Sequence, residues 1–132
     1  MSPSQNSTLN RPRVLVIEDD QEMNALEREF LSVYGIDSVA AYSGQEALEV
    51  FLAAHKIDAA ILDVMLPGMD GFETCRQLRE VAGERFPVVL FTALDTDECH
   101  YHGFKAGASA YFTKPFDPDL VVRKIQDLLN QN

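Results

Sequence analysis

The stretch AAILDVMLPGMDGFETCRQL, residues 59–78, decides the fold of this chain. Its first four residues, Ala59 to Leu62, are apolar without alternation, as in a strand that is covered by helices on both faces. The run stops at Asp63, passes through a Pro/Gly-rich loop, and resumes with Phe72, Cys75 and Leu78 at the spacing of one helix face. A doubly covered strand followed by an amphipathic helix is the repeating unit of a parallel α/β sheet.

Outward from this unit the pattern recurs on both sides. Val14 to Ile17 precede a helix over Gln21 to Tyr34 that Gly35 ends. Ser38 to Tyr42 form a short strand, and Ser43-Gly-Gln-Glu46 reads as a capping box ahead of the apolar face Ala47, Leu48, Phe51 and Leu52. Val88 to Phe91 precede a weaker helix over Thr96 to Ala106. Ala110 to Phe112 precede a last helix with Asp117 as its cap, Pro118 as its first residue and Val121, Ile125, Leu128 and Leu129 on one face. Right-handed crossovers that do not cross one another arrange five such units as an open, doubly wound, flavodoxin-like parallel sheet of order 2-1-3-4-5 with five helices. Residues 1–11 are polar and without periodicity and read as a flexible tail, which leaves 12–132 as one domain.

Four strands run into polar chemistry: the first into Glu18, Asp19 and Asp20, the third into Asp63, the fourth into Thr92, the fifth into Thr113 and Lys114. Ligands of open α/β sheets bind beyond the carboxyl ends of the strands, at the point where strand order reverses. The acids of the first strand are therefore expected to face Asp63, and crowded carboxylates call for a cation. Oxygen donors without His or Cys favour Mg²⁺ over zinc. Lys114 brings a point charge suited to a phosphoryl oxygen or to a resting carboxylate, and Thr92 brings a hydroxyl. Singly, each has a plainer reading, with Asp19 or Asp20 as a helix cap, Thr92 as a strand end and Lys114 as a surface charge; their conjunction at one sheet edge favours a site.

The 132 residues carry 11 Lys plus Arg against 21 Asp plus Glu, a net charge of −10, which disfavours direct contact with nucleic acid or anionic membrane. No apolar run approaches the roughly 18 residues of a membrane span, and the N-terminus has no signal-peptide core. Cys75 and Cys99 have no finger or redox spacing, so a reduced, cytoplasmic setting is expected.

These motifs resemble the receiver domains of response regulators in two-component signalling, along about 120 residues. Val16-Ile-Glu18-Asp19-Asp20 is similar to the acidic first-strand signature, Ile61 to Gly71 to the phosphoacceptor loop, and Phe91-Thr92-Ala93 and Lys114-Pro115-Phe116 to the remaining site segments; Gly107, Ala108 and Tyr111 also fall at family positions. The resemblance implies that Asp63 accepts a phosphoryl group from a histidine kinase, a phosphotransfer protein or a small acyl phosphate. It implies Mg²⁺ held by Asp19 directly, Glu18 through water, Asp63 and the backbone carbonyl of Met65, with Thr92 and Lys114 on the phosphoryl oxygens. The Lys114–Pro115 bond is expected to be cis, Thr92 and Tyr111 to act as a switch pair, and the face of the fourth helix, fifth strand and fifth helix to be the output surface. Asp20 is left as a helix cap and Asp70 as a turn residue. Output is left to a separate protein partner or an attached domain outside this sequence, and phosphorylation-driven homodimerisation stays open. The chain is expected to catalyse only its own phosphorylation and dephosphorylation, and so not to be an enzyme in the full sense.

Met65 and Leu94, two residues beyond Asp63 and Thr92, are apolar and cannot orient an attacking water, so slow self-dephosphorylation is expected. The thin apolar stripe of the fourth helix, with Gly103 inside it, predicts the least firmly anchored helix. Cys99, His100 and His102 do not make a zinc site, since the two histidines point to different faces and a closed site needs four ligands. His55 is expected to favour the negative end of the second helix. Three alternatives compete. A flavin or nucleotide binder would need a Ser/Thr/Gly phosphate loop where Glu18-Asp19-Asp20 stands, and a Mg²⁺-dependent phosphatase would need an acid at Met65. A phosphorylation-independent receiver-like module is disfavoured by the complete set of Glu18, Asp19, Asp63, Thr92 and Lys114.

Overall fold

The computed structural model describes residues 11–130 apart from 55, 67, 69 and 116. Five strands, β1 (Arg13–Ile17), β2 (Asp37–Ala41), β3 (Ala59–Leu62), β4 (Val88–Thr92) and β5 (Ala110–Thr113), alternate with five helices. The helices are α1 (Gln21–Val33), α2 (Gly44–Ala53), α3 (Gly71–Ala82), α4 (Asp97–Lys105) and α5 (Pro118–Asn130). All neighbouring strands pair in parallel, in the order β2-β1-β3-β4-β5.

The unbroken apolar runs of β1, β3 and β4 divide their residues between two cores. Leu15, Ile17, Ala60, Leu62, Val88 and Leu90 pack with Ala47 of α2, Cys75 and Leu78 of α3, and Ala106. Val14, Val16, Ala59, Ile61 and Val89 point the other way and pack with Leu31 of α1 and Val121, Val122 and Ile125 of α5. Burial of each such Val, Leu or Ile contributes on the order of 1.5–3 kcal/mol. The edge strands β2 and β5 are only partly buried, apart from Ala41.

Capping fixes where the helices begin. Asp20, Ser43, Asp70 and Thr96 each accept a backbone N–H three residues on, and Asp117 accepts that of Asp119 at 2.9 Å. Asp70 is thus the N-cap of α3 rather than a plain turn residue. Glu46 completes the box at α2 by accepting the N–H of Tyr42 at 2.8 Å. Leu52, expected on the buried face of α2, is 69% exposed. It lies five residues beyond Ala47, about 140° round the helix, and Val50 and Phe51 pack inward instead.

In α4 only Gly103 is buried, while Tyr101 and Phe104 are exposed. A Cβ at Gly103 would lie 2.9 Å from Leu90 Cδ1 and 2.9 Å from Tyr111 Cδ2, so the glycine lets α4 sit close on β4 and β5. The residue expected only to weaken this helix is also its point of closest approach. His55 lies outside the described residues.

Candidate functional site

The carboxyl ends of β1, β3 and β5 deliver Glu18, Asp63 and Lys114 to one point. Lys114 Nζ donates to Glu18 Oε1 at 2.7 Å and to Asp63 Oδ2 at 3.2 Å, and a third acid, Glu27 of α1, places Oε2 3.6 Å away. All four side chains are largely withdrawn from solvent, with exposures of 17% for Lys114, 5% for Glu18, 12% for Asp63 and 11% for Glu27. The Lys114–Pro115 peptide is cis, and the ammonium also lies 5.2 Å from the centre of the Phe91 ring.

Local hydrogen bonds fix the acids. Asp63 Oδ1 accepts the Met65 N–H at 2.9 Å, and Glu18 Oε2 accepts the Asp20 N–H at 3.1 Å. Asn24, fully buried on α1, donates its amide to the carbonyls of Val16, Glu18 and Ala41, each at 3.1 Å, and so ties the first helix to the ends of β1 and β2. Gly71 lets the loop after Asp63 fold back, because a Cβ there would stand 2.2 Å from Val64 Cα and 2.7 Å from the Asp63 carbonyl oxygen.

Three acids around one ammonium set the electrostatics. Burial raises the Glu18 carboxyl above the usual range against the opposing pull of Lys114. Burial pushes Glu27 up to about 7, again against Lys114 and with the help of Glu18 and Asp63. For Lys114, burial acts to lower the ammonium, but the Glu18 hydrogen bond and the charges of Glu27, Asp63 and Glu18 outweigh it and hold it above the ordinary range. The site thus carries surplus negative charge and hard oxygen donors, which suits a divalent ion that keeps most of its waters. No group of three or more His, Cys, Asp or Glu side chains placed to hold a metal is present among the described residues. Asp19 is exposed beside Glu18, and Met65 is 56% exposed.

Thr92 is fully buried, and its hydroxyl accepts the Leu94 N–H at 3.4 Å. The Tyr111 hydroxyl donates to the Leu94 carbonyl at 2.8 Å, so both residues of the expected switch pair engage the same loop residue. The Tyr111 ring stacks on His100 at 4.0 Å, and burial pushes its phenol up to about 12. His100 also meets Asp95 at 3.0 Å, whereas His102 meets Glu98, so the two histidines serve different contacts.

Glu18, Asp63 and Lys114, expected at the site from the strand ends, are brought together by the fold. Asn24 and Glu27 are not among the residues expected there. Their signal lay in spacing, because Asn24, Glu27 and the buried Leu31 fall at i, i+3 and i+7 on one helix face.

A doubly wound parallel sheet with a lysine-bridged acidic site at its switch point defines a class of α/β ligand-site proteins. Within that class the chain belongs to the response regulator receiver domain family, whose model matches residues 14–126. The response regulator MprA of Mycobacterium ulcerans is 39% identical over 119 residues, covering 90% of this chain and 50% of that protein. The BeF3-activated N-terminal receiver domain of RstA from Klebsiella pneumoniae superimposes with a TM-score of 0.83 at 35% identity, covering 90% of this chain and 99% of that one. The receiver domain of the Francisella response regulator 1452 gives 0.84 at 31% identity, covering 92% and 98%. The chain spans about half the length of the curated relatives it matches. No helix among the described residues is long and apolar enough to cross a membrane.

Proposed function

We propose that this receiver domain takes a phosphoryl group onto Asp63 from the phosphohistidine of a sensor kinase or phosphotransfer protein, or from a small acyl phosphate. The observation that carries the reading is the Lys114 ammonium, held 3.2 Å from Asp63 Oδ2 and 2.7 Å from Glu18 Oε1. A carboxylate oxygen of Asp63 forms the new P–O bond as the P–N bond to histidine, or the P–O bond to the acyl group, breaks and the leaving group departs with the electron pair. Phosphoryl transfer asks little of a protein beyond positioning and neutralising charge on the phosphoryl oxygens. The Asp63 carboxylate is oriented by the Met65 N–H, Lys114 supplies positive charge beside it, and the buried Thr92 hydroxyl stands at the end of the adjoining strand. Glu18, Asp19, Asp63 and the Met65 carbonyl would hold Mg²⁺, which supplies neutralisation of charge on the phosphoryl oxygens when bound.

On this reading the chain acts on nothing but itself, through its own phosphorylation and dephosphorylation, in the cytoplasm. Thr92 and Tyr111 relay the change to the surface of α4, β5 and α5, where Tyr101, Phe104 and Leu120 are exposed. That surface serves an output domain, a separate partner or a second copy. Incubation with Mg²⁺ and acetyl phosphate, followed by intact mass, tests the reading: one added phosphoryl that is absent in Asp63→Asn is expected. No adduct, or one retained by the variant, refutes it.

A further inference from the structure

We propose that Glu27 is a positioning residue for Lys114, an acid on α1 that draws the ammonium away from Asp63 and thereby slows acceptance of a phosphoryl group. The inference rests on Asp63 being the acceptor, as proposed above, and adds a residue that the strand-end motifs do not include.

Glu27 stands where an apolar residue would fit. Its side chain lines an apolar recess of about 490 Å³ with Met23, Leu26, Phe30, Phe91 and Pro118. Within that wall its Oε2 is buried and accepts no hydrogen bond, and the cation it meets is Lys114 Nζ at 3.6 Å. Its neighbour Arg28 is turned elsewhere, donating to Asn24 Oδ1 at 2.7 Å. A carboxylate oxygen buried without a hydrogen bond does not add to stability, so the charge of Glu27 acts through the ion pair it makes with Lys114.

That pair competes with the chemistry. The same ammonium donates to Glu18 and to Asp63, so the three acids share its charge. As a phosphoryl group approaches Asp63, Lys114 must turn its protons toward the phosphoryl oxygens. Glu27 opposes this by its attraction to the ammonium, which acts at low local dielectric because the carboxylate and the ammonium are mostly shielded from water.

Glu27→Gln keeps shape and removes the charge; Glu27→Leu removes charge and polarity together and suits the apolar recess. Phosphorylation by acetyl phosphate in saturating Mg²⁺ at pH 8 is expected to reach a maximal rate roughly three- to tenfold above wild type in both variants, with the half-saturating acetyl phosphate concentration little changed. A separate readout follows the ammonium itself in metal-free protein, where Glu27→Gln is expected to move the Lys114 ¹⁵Nζ resonance. Maximal rates at or below wild type, or an unmoved Nζ resonance, overturn the inference. If wild type takes up no phosphoryl group, the acceptor reading fails, and the Nζ resonance still decides whether Glu27 holds Lys114.

Discussion

Glu27 also sets a stability cost whose pH dependence is calculable. Its carboxyl is raised from 4.5 to about 7, first by burial. Between those values the native state binds a proton that the unfolded state does not, so the slope of unfolding free energy with pH is negative and stability falls as pH rises. The cost is absent below about pH 4.5 and complete above about pH 7. Raising the carboxyl from 4.5 to about 7 corresponds to roughly 3 kcal/mol for a side chain only 11% exposed. Glu27→Leu removes this proton linkage and places an apolar group in an apolar recess, at the expense of one counter-ion for Lys114. Urea unfolding in EDTA is expected to show the variant within about 1 kcal/mol of wild type at pH 5 and about 2–3 kcal/mol more stable at pH 8. A difference that does not change with pH, or a wild type that is the more stable protein at pH 8, refutes the reasoning.

Two further outcomes are expected. Gly71→Ala would drive a Cβ to 2.2 Å from Val64 Cα, a backbone clash that no rotamer relieves, so urea denaturation should show a loss of at least about 3 kcal/mol; a loss under about 1 kcal/mol would show that the loop after Asp63 does not need its tight return. With Met65 exposed and Leu94 lacking any group to activate water, the phosphorylated protein in Mg²⁺ should persist for minutes or longer by time-resolved intact mass, and decay within seconds would contradict this.

Much of the molecule was legible from its residues because parallel sheets bury both faces of their strands. The runs at Val14, Ala59 and Val88 marked β1, β3 and β4, and the polar residue after each run marked the ligand edge. Asp63 and Lys114 were legible for the same reason, since strand ends converge whatever the loops do. Glu27 was not. In the segment QEMNALEREF it resembles one more charged residue of a solvated helix, and only the fold, which turns it toward Lys114, reveals that it is buried. Asn24 was hidden likewise, because its role consists of hydrogen bonds to three carbonyls at strand ends distant in sequence. Asp70 resembles a turn residue in sequence because the Pro/Gly loop obscures the start of α3, where its side chain accepts the Glu73 N–H. Gly103 illustrates the opposite limit: helix propensity gave its local cost, but the contact it permits with Leu90 and Tyr111 exists only in the folded sheet.

The acceptor itself is tested most directly by locating the phosphoryl group. Borohydride reduction of protein treated with Mg²⁺ and acetyl phosphate converts an aspartyl phosphate to homoserine, and tandem mass spectrometry then reads its position. Homoserine at position 63 and nowhere else is expected. Reduction at Glu18, Asp19 or any other acid, or none in a protein that carries the added phosphoryl mass, would contradict the assignment of Asp63.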